Sequence, residues 1–216
     1  MAKIEVGRSV RDSNDTIAAR NREVFDRHGV YAMNIIGSPG SGKTSILEVT
    51  ARHFDGRAAA IIGDVRTALD AERLQDCGMT ALPIETGGGC HLNATQIADA
   101  VARLDLDAID YLFIENVGNL VCPSALALGE HIKVAVLSVP EGDEKVRKYP
   151  ALFVRADVVF INKIDLLPHC PYDPARVRQD ARKARPNVKV FETSAARNTG
   201  FEPWFEFLRQ ARAATA

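Results

Sequence analysis

The chain has 216 residues, 46% of them hydrophobic and 25% charged, with a formal net charge of −1. That length suits one well-cored domain, and the near-neutral balance gives no electrostatic case for nucleic acid or an anionic membrane as partner. No apolar run approaches the ~18 residues of a membrane span, and Met1-Ala2-Lys3-Ile4-Glu5-Val6 lacks the apolar core of a signal peptide. A cytoplasmic setting is therefore expected, in which the four cysteines are reduced thiols or metal ligands rather than disulfides.

Residues 1–10 read as a loose lead-in. From Ser13 to His28, the apolar positions Ile17, Ala18, Val24 and Phe25 fit an amphipathic helix that Gly29 ends. Tyr31-Ala32-Met33-Asn34-Ile35-Ile36 then reads as a strand and residues 43–54 as a helix. Between them stands Gly37-Ser38-Pro39-Gly40-Ser41-Gly42-Lys43-Thr44, a G-x-x-x-x-G-K-[ST] string in the strand-to-helix context of a phosphate-binding P-loop. Its glycines let backbone N–H groups turn around an anion, and the helix N-terminus adds its positive end. Lys43 can reach the β- and γ-phosphates, the Thr44 hydroxyl can ligate Mg²⁺, and the nucleotide-contacting set comprises Gly40, Ser41, Gly42, Lys43, Thr44 and Ser45.

Further strands are expected at Arg57–Ile62, Thr80–Ile84, Tyr111–Ile114, Lys133–Val139, Asp157–Ile161 and Val188–Phe191, with helices over 67–76, from Asn93 onward and over about 202–213. Asn93 and Gln96 have the spacing of a capping box. Strands alternating with helices over the whole length predict an α/β fold. The expectation is a single P-loop NTPase domain over 1–216, with a mainly parallel sheet, helices on both faces and the N-terminal helix packed on it.

Asn162-Lys163-Ile164-Asp165 follows a strand end and resembles the base-recognition motif of GTPases. A carboxylate at Asp165 can accept from the ring N1–H and exocyclic amine of guanine. Adenine has no such donor pair and would leave the acid unpaired, so GTP is expected over ATP. Asn162 would fix the O6/N7 side and the Lys163 stem would lie over the ring. Thr193-Ser194-Ala195 resembles the accompanying loop, whose backbone N–H contacts O6. Asp64 and Glu115 end two strands and are candidate Mg²⁺ and water-handling acids; both also read as solvated strand-end acids. In Glu115-Asn116-Val117-Gly118, glycine would let the Gly118 N–H approach the γ-phosphate.

Gly87-Gly88-Gly89-Cys90-His91 sets two metal-ligating residues side by side after a flexible turn. Adjacent side chains on a regular strand diverge, so only a loop with free torsions can converge both on one ion. A nearby helix N-terminus is expected to favour the Cys90 thiolate, and Cys122 supplies a third ligand. Thiolate plus imidazole suits Ni²⁺ or Zn²⁺ rather than Mg²⁺. Two buried thiols and a loop histidine would also account for these residues.

Taken together the strings Gly37–Thr44, Gly63-Asp64-Val65, Thr86-Gly87-Gly88-Gly89-Cys90-His91-Leu92, Glu115–Pro123, Glu141-Gly142-Asp143 and Asn162–Asp165 resemble the HypB family, SIMIBI-class GTPases that assist nickel insertion into [NiFe]-hydrogenase. Gly-Cys-His-Leu and Glu-Asn-x-Gly-Asn-Leu-Val-Cys-Pro are its specific parts. The resemblance implies a homodimer with a metal site at its interface, slow GTP turnover, a small zinc-containing HypA-like partner, and delivery of nickel to the hydrogenase large subunit. The first 30 residues hold no cysteine and one histidine, so the family's N-terminal nickel motifs are not expected. By resemblance a lysine in 145–148 would reach the partner's nucleotide; a solvated charged loop is the other reading. Rival functions are a UreG-like urease accessory GTPase, whose metal motif is Cys-Pro-His, a nucleotide kinase, and a nucleotide-gated assembly protein without a metal role.

Overall fold

The computed structural model describes residues 6–54, 56–64 and 69–214, with side chains placed from residue 12 onward except that of Asp64. Helix α1 (Val6–His28) begins seven residues before the expected Ser13 and ends as foreseen. Gly29, at φ 63°, donates to Asp26 O, and Val30 N donates to Phe25 O at 2.9 Å. Those two bonds form a Schellman closure, which needs the left-handed residue that glycine supplies. The chain then alternates: β1 (Tyr31–Gly37), α2 (Lys43–Phe54), β2 (Ala58–Asp64), α3 (Leu69–Asp76), β3 (Thr80–Glu85), α4 (Ala94–Val101) and β4 (Tyr111–Glu115). After a long connection come β5 (Ile132–Ser138), the short α5 (Lys145–Lys148) and α6 (Pro150–Phe153), β6 (Val158–Asn162), α7 (Pro174–Ala184), β7 (Lys189–Glu192) and α8 (Glu202–Ala213).

Seven strands among the described residues form one sheet, in the order β3-β2-β4-β1-β5-β6-β7, and every pairing is parallel rather than mainly so. β1 lies centrally, and all seven of its residues are buried, as a strand covered on both faces must be. Alternate residues feed opposite layers. Tyr31, Met33 and Ile35 pack with Ile46 and Leu47 of α2 and with Trp204 and Leu208 of α8, while Ala32 packs with Phe25 and the α4 residue Ile97. Trp204 is fully buried against Phe160 and Phe191, and its indole N–H donates to Thr50 Oγ1 at 3.1 Å. Truncating a buried aromatic of this kind costs about 3–5 kcal/mol, so α8 anchors the helix that carries the P-loop lysine.

From β1 the chain moves one way to β2 and β3, then returns through β4 and crosses to β5. The reversal places a crevice at the carboxyl ends of β1 and β4, where open parallel sheets bind ligands. Helix α1 supports the opposite layer. The Asn21 amide donates to Ala94 O and Leu128 O, and Asn14 Oδ1 accepts from Ala94 N, so α1 fixes the first residue of α4. The Asn93/Gln96 capping box is present in both directions. No described helix is long and apolar enough to cross a membrane.

Candidate functional site

The P-loop wraps the N-terminus of α2, and its own residues dictate the fit. Gly42 holds φ 95°, and a Cβ there would run into the Asn162 amide. Gly118 is needed for a different contact: a Cβ would lie 2.8 Å from Pro39 Cγ, so a side chain would push the segment after β4 off the P-loop. Pro39, Gly40, Gly42, Lys43, Thr44 and Ser45 line one side of a cleft of about 450 Å³. Gly63, Asp70, Arg73 and Glu115 to Gly118 line the remainder.

Lys43, Thr44 and Glu115 meet on the cleft floor, all buried. Thr44 Oγ1 donates to Glu115 Oε1 at 3.0 Å, and Lys43 Nζ lies 3.8 Å from the same oxygen. Burial pushes the Glu115 carboxyl up to about 7; the Lys43 charge pulls the other way without restoring the ordinary value. Glu115 Oε2 is buried with no hydrogen-bond partner. An orphaned carboxylate oxygen beside a P-loop hydroxyl is an all-oxygen donor pair suited to a hard divalent cation, so Thr44 and Glu115 fit the expected Mg²⁺. The backbone of Asp64 ends β2, and its side chain lies outside the described residues, as does Val65 of the string it was read in.

The residues expected to recognise the base arrive from β6 and the loop after β7. Asn162 is buried, its amide donating to Ser41 O at 3.1 Å while Oδ1 accepts from Ala195 N at 3.2 Å. Its polar atoms therefore stitch the P-loop to the Thr193–Ala195 loop. A guanine O6 at this place would share the Ala195 N–H. Lys163 takes φ 61° and donates to Gly40 O at 2.6 Å, so its stem crosses from the N-K-x-D turn to the P-loop. Asp165 accepts from Ser194 Oγ at 2.5 Å, which orients the carboxylate expected to read guanine.

The metal-ligating residues do come together. One ligand atom from each of Cys90, His91 and Cys122 falls within 4.8 Å of the others, and Cys90 Sγ lies 3.3 Å from His91 Nδ1. Ligands of a tetrahedral thiolate site lie roughly 3.8 Å apart, given bonds of ~2.3 Å, so small shifts would close the set around a soft cation and leave one position open. Gly87 and Gly88, at φ 60° and 99°, supply the turn, which Gly89 N closes on Thr86 O. One expectation is corrected. The Cys90 thiol is held above its ordinary value, chiefly by a hydrogen bond with the Cys122 thiol. It is exposed, and the N–H of Gln96 at the N-terminus of α4 is taken by the Asn93 cap.

Asn116 was visible only as a letter in a motif, yet it joins the two centres. It is buried; its Oδ1 accepts from Leu92 N at 3.0 Å and Val117 N at 3.1 Å, and its amide donates to Asn34 Oδ1 at 3.2 Å. Leu92 directly follows His91. Asn119 Oδ1 in turn accepts from Val121 N at 2.8 Å and more weakly from Cys122 N at 3.4 Å. The segment from Glu115 to Cys122 thus touches the P-loop hydroxyl at one end and carries a candidate metal ligand at the other, with Asn116 pinning the loop of the other two candidates between them. Arg73 and Asp70 were also missed; they occupy the cleft wall only because α3 packs beside α2. The charged stretch after β5 forms α5, where Lys145 pairs with Glu141 at 3.5 Å and Lys148 with Glu144 at 2.9 Å.

Three comparisons bear on this arrangement. The CobW/HypB/UreG nucleotide-binding domain profile matches residues 31–192. The hydrogenase maturation factor HypB of Escherichia coli strain K12 is 44% identical over 213 residues, covering 98% of this chain and 73% of its own length. The Helicobacter hepaticus hydrogenase/urease maturation factor HypB is 39% identical, with 97% and 88% coverage. The crystal structure of HypB from Helicobacter pylori in complex with nickel superposes with a TM-score of 0.90 at 40% identity, over 94% of this chain and 96% of that one.

Proposed function

The chain belongs to the HypB hydrogenase maturation factors of the CobW/HypB/UreG nucleotide-binding family, and from that premise we propose that it is a GTP-hydrolysing metallochaperone that assists nickel insertion into [NiFe]-hydrogenase. The observation that carries the reading is the single short segment Glu115–Cys122. It begins at the carboxylate bonded to Thr44 and ends at a thiol of the Cys90/His91/Cys122 cluster.

In this reading Lys43 and the P-loop N–H groups hold the phosphates, and Thr44 and Glu115 hold Mg²⁺, with Asp64 as a further candidate. Gly118 lets the segment after β4 rest on the P-loop, and Asn162, Lys163, Asp165, Ser194 and Ala195 build the guanine site. Mg²⁺ would shield phosphate charge and hold the buried Glu115 carboxyl, which burial raises in the empty cleft, in its ionised form. Nickel is the cargo, seated by Cys90, His91 and Cys122, and Zn²⁺ suits the same soft donors. GTP binding orders the Glu115–Cys122 segment and thereby alters dimerisation or metal coordination; hydrolysis reverses it. The homodimer, the HypA-like partner, the hydrogenase large subunit as recipient and a cytoplasmic location, where the free thiols would stay reduced, belong to the same proposal.

A second reading, urease maturation, draws support from the relative named for both hydrogenase and urease. Adjacent Cys90 and His91, with Cys122 in the segment after β4, favour the hydrogenase role over a UreG-like one. The test measures GTP against ATP hydrolysis by the purified chain, together with restoration of hydrogenase and of urease activity in a strain lacking its own factor. Guanine-selective hydrolysis with rescue of hydrogenase is expected. Rescue that survives the paired substitutions Cys90→Ala and His91→Ala would remove the metal role.

A further inference from the structure

A guanidinium reaches the phosphate end of the cleft from outside every motif assigned above. Arg73 and Asp70 lie three residues apart on α3, and both line the cleft with Lys43, Thr44 and Glu115. Arg73 spans to α2 in a fixed pose: Nε donates to Glu48 Oε1 at 2.9 Å, Nη1 to Asp70 Oδ1 at 2.9 Å and Nη2 to Ser45 Oγ at 3.3 Å. Ser45 is the residue after Thr44, so the guanidinium lies one residue from the P-loop hydroxyl.

We propose that Arg73 is a catalytic arginine supplied in cis, which turns from Asp70 onto the γ-phosphate of bound GTP while Glu48 keeps hold of Nε. The proposal rests on the GTP-hydrolysis reading. In that reaction a water oxygen bonds to the γ-phosphorus, and the bond from that phosphorus to the β–γ bridging oxygen breaks. The electron pair stays with GDP, and the water's proton leaves with the inorganic phosphate or passes to solvent. Charge grows on the bridging oxygen and persists on the γ-oxygens, so a planar cation with paired donors stabilises the transition state more than the ground state. A tie between α2 and α3 is a weak reason for this residue, because the Arg73 side chain is 46% exposed and exposed ion pairs contribute little. Detention by Asp70 also fits slow turnover, since the guanidinium has to leave that carboxylate before it can act.

The test is single-turnover GTP hydrolysis by the full chain with Mg²⁺, alongside binding of GDP alone and of GDP with aluminium fluoride, a planar mimic of the transferring phosphoryl group. Arg73→Ala is expected to slow hydrolysis by roughly 10²-fold, below the ~10³–10⁵ of unencumbered arginine fingers because two carboxylates already offset its charge. GDP affinity should move less than about threefold, as for loss of an exposed pair, while the added affinity conferred by aluminium fluoride disappears. Arg73→Lys recovers part of the rate, since an ammonium cannot make the paired contact. Glu48→Gln removes the charge but keeps an oxygen that accepts from Arg73 Nε, so hydrolysis stays within about threefold of the parent. Hydrolysis by Arg73→Ala at the parent rate overturns the assignment, as does an equal loss in Glu48→Gln, which would make the α2–α3 tie the operative feature. Should Arg73→Ala fail a thermal-melt check, Arg73→Lys becomes the deciding variant, and a parent-like aluminium fluoride response from it counts against the proposal. A wild-type chain that fails to hydrolyse GTP defeats the parent reading instead.

Discussion

The nucleotide cleft and the proposed metal loop are built to opposite standards of rigidity. Around the cleft, one buried asparagine bonds two loops at once, a lysine crosses to the P-loop backbone, and Asp165 is held by Ser194. The metal loop between β3 and α4 is a glycine turn closed on Thr86; Cys90 is exposed, and Leu92 is the residue buried behind it. A preorganised cleft suits a nucleotide that must be held in one geometry, whereas a loose ligand loop suits a cation that is to be released. Asn116 stands between them and is the place where one region can act on the other.

Substitutions should therefore separate the regions. Lys43→Ala removes the cation from the cleft floor and should weaken GTP binding by roughly 10²–10³-fold, as loss of a buried charge partner does, while metal affinity without nucleotide stays unchanged; competition against a fluorescent GDP reads the first and metal titration the second. Cys122→Ala should do the reverse. Nickel affinity should fall by more than ~10²-fold, because even groups behind a ligand are worth ~10–100-fold, and GDP affinity should hold. Loss of GDP binding in that variant would show that the cleft and the metal loop fold as one unit.

Asn116→Ala attacks the link itself. It leaves the Leu92 and Val117 N–H groups and Asn34 Oδ1 without their buried partner, at about 2–4 kcal/mol. Chemical denaturation measures that loss, and a destabilisation near zero would mean the three groups find other partners. The smallest effect is a pH dependence. Burial raises the Glu115 pKa in the folded chain to about 7, above its ordinary 4.5. The folded state then binds more protons than the unfolded one, so this contribution is present below pH 4.5 and is lost as pH rises through 7. Without nucleotide or Mg²⁺, stability should drop by about 2 kcal/mol between pH 5 and 7 through this group. Glu115→Gln should abolish that difference, whereas a wild-type slope identical to the variant's would place the carboxyl at its ordinary value.

Much of this was legible in the residues because it depends on local chain chemistry. The helix over 43–54, the last helix over 202–213 and the Asn93/Gln96 cap follow from glycines, capping spacing and apolar period, and the structure has them at those positions. The convergence of Cys90, His91 and Cys122 was legible because a triple glycine permits adjacent ligands to turn together. Helix α7 escaped notice: of its eleven residues only Val177 and Ala181 are buried, so its apolar stripe is too thin to show a period. Asn34 passed for one more residue of an apolar strand, although its side chain is where Asn116 docks. Arg73 and the bonds of Asn116 depend on which elements lie side by side. Sheet order decides that, and no window of sequence contains it.

The central claim is that nucleotide state is felt at the metal ligands through Glu115–Cys122 and Asn116. Its most direct test is an equilibrium nickel titration of the wild-type chain loaded with GDP and with a non-hydrolysable GTP analogue, repeated with Asn116→Ala. The account predicts affinities that differ by about fivefold or more between the two nucleotides, a coupling of ~1 kcal/mol, and a difference that shrinks toward unity in the variant. Equal nickel affinities in both nucleotide states of the wild-type chain, with equal dimer fractions, would contradict it.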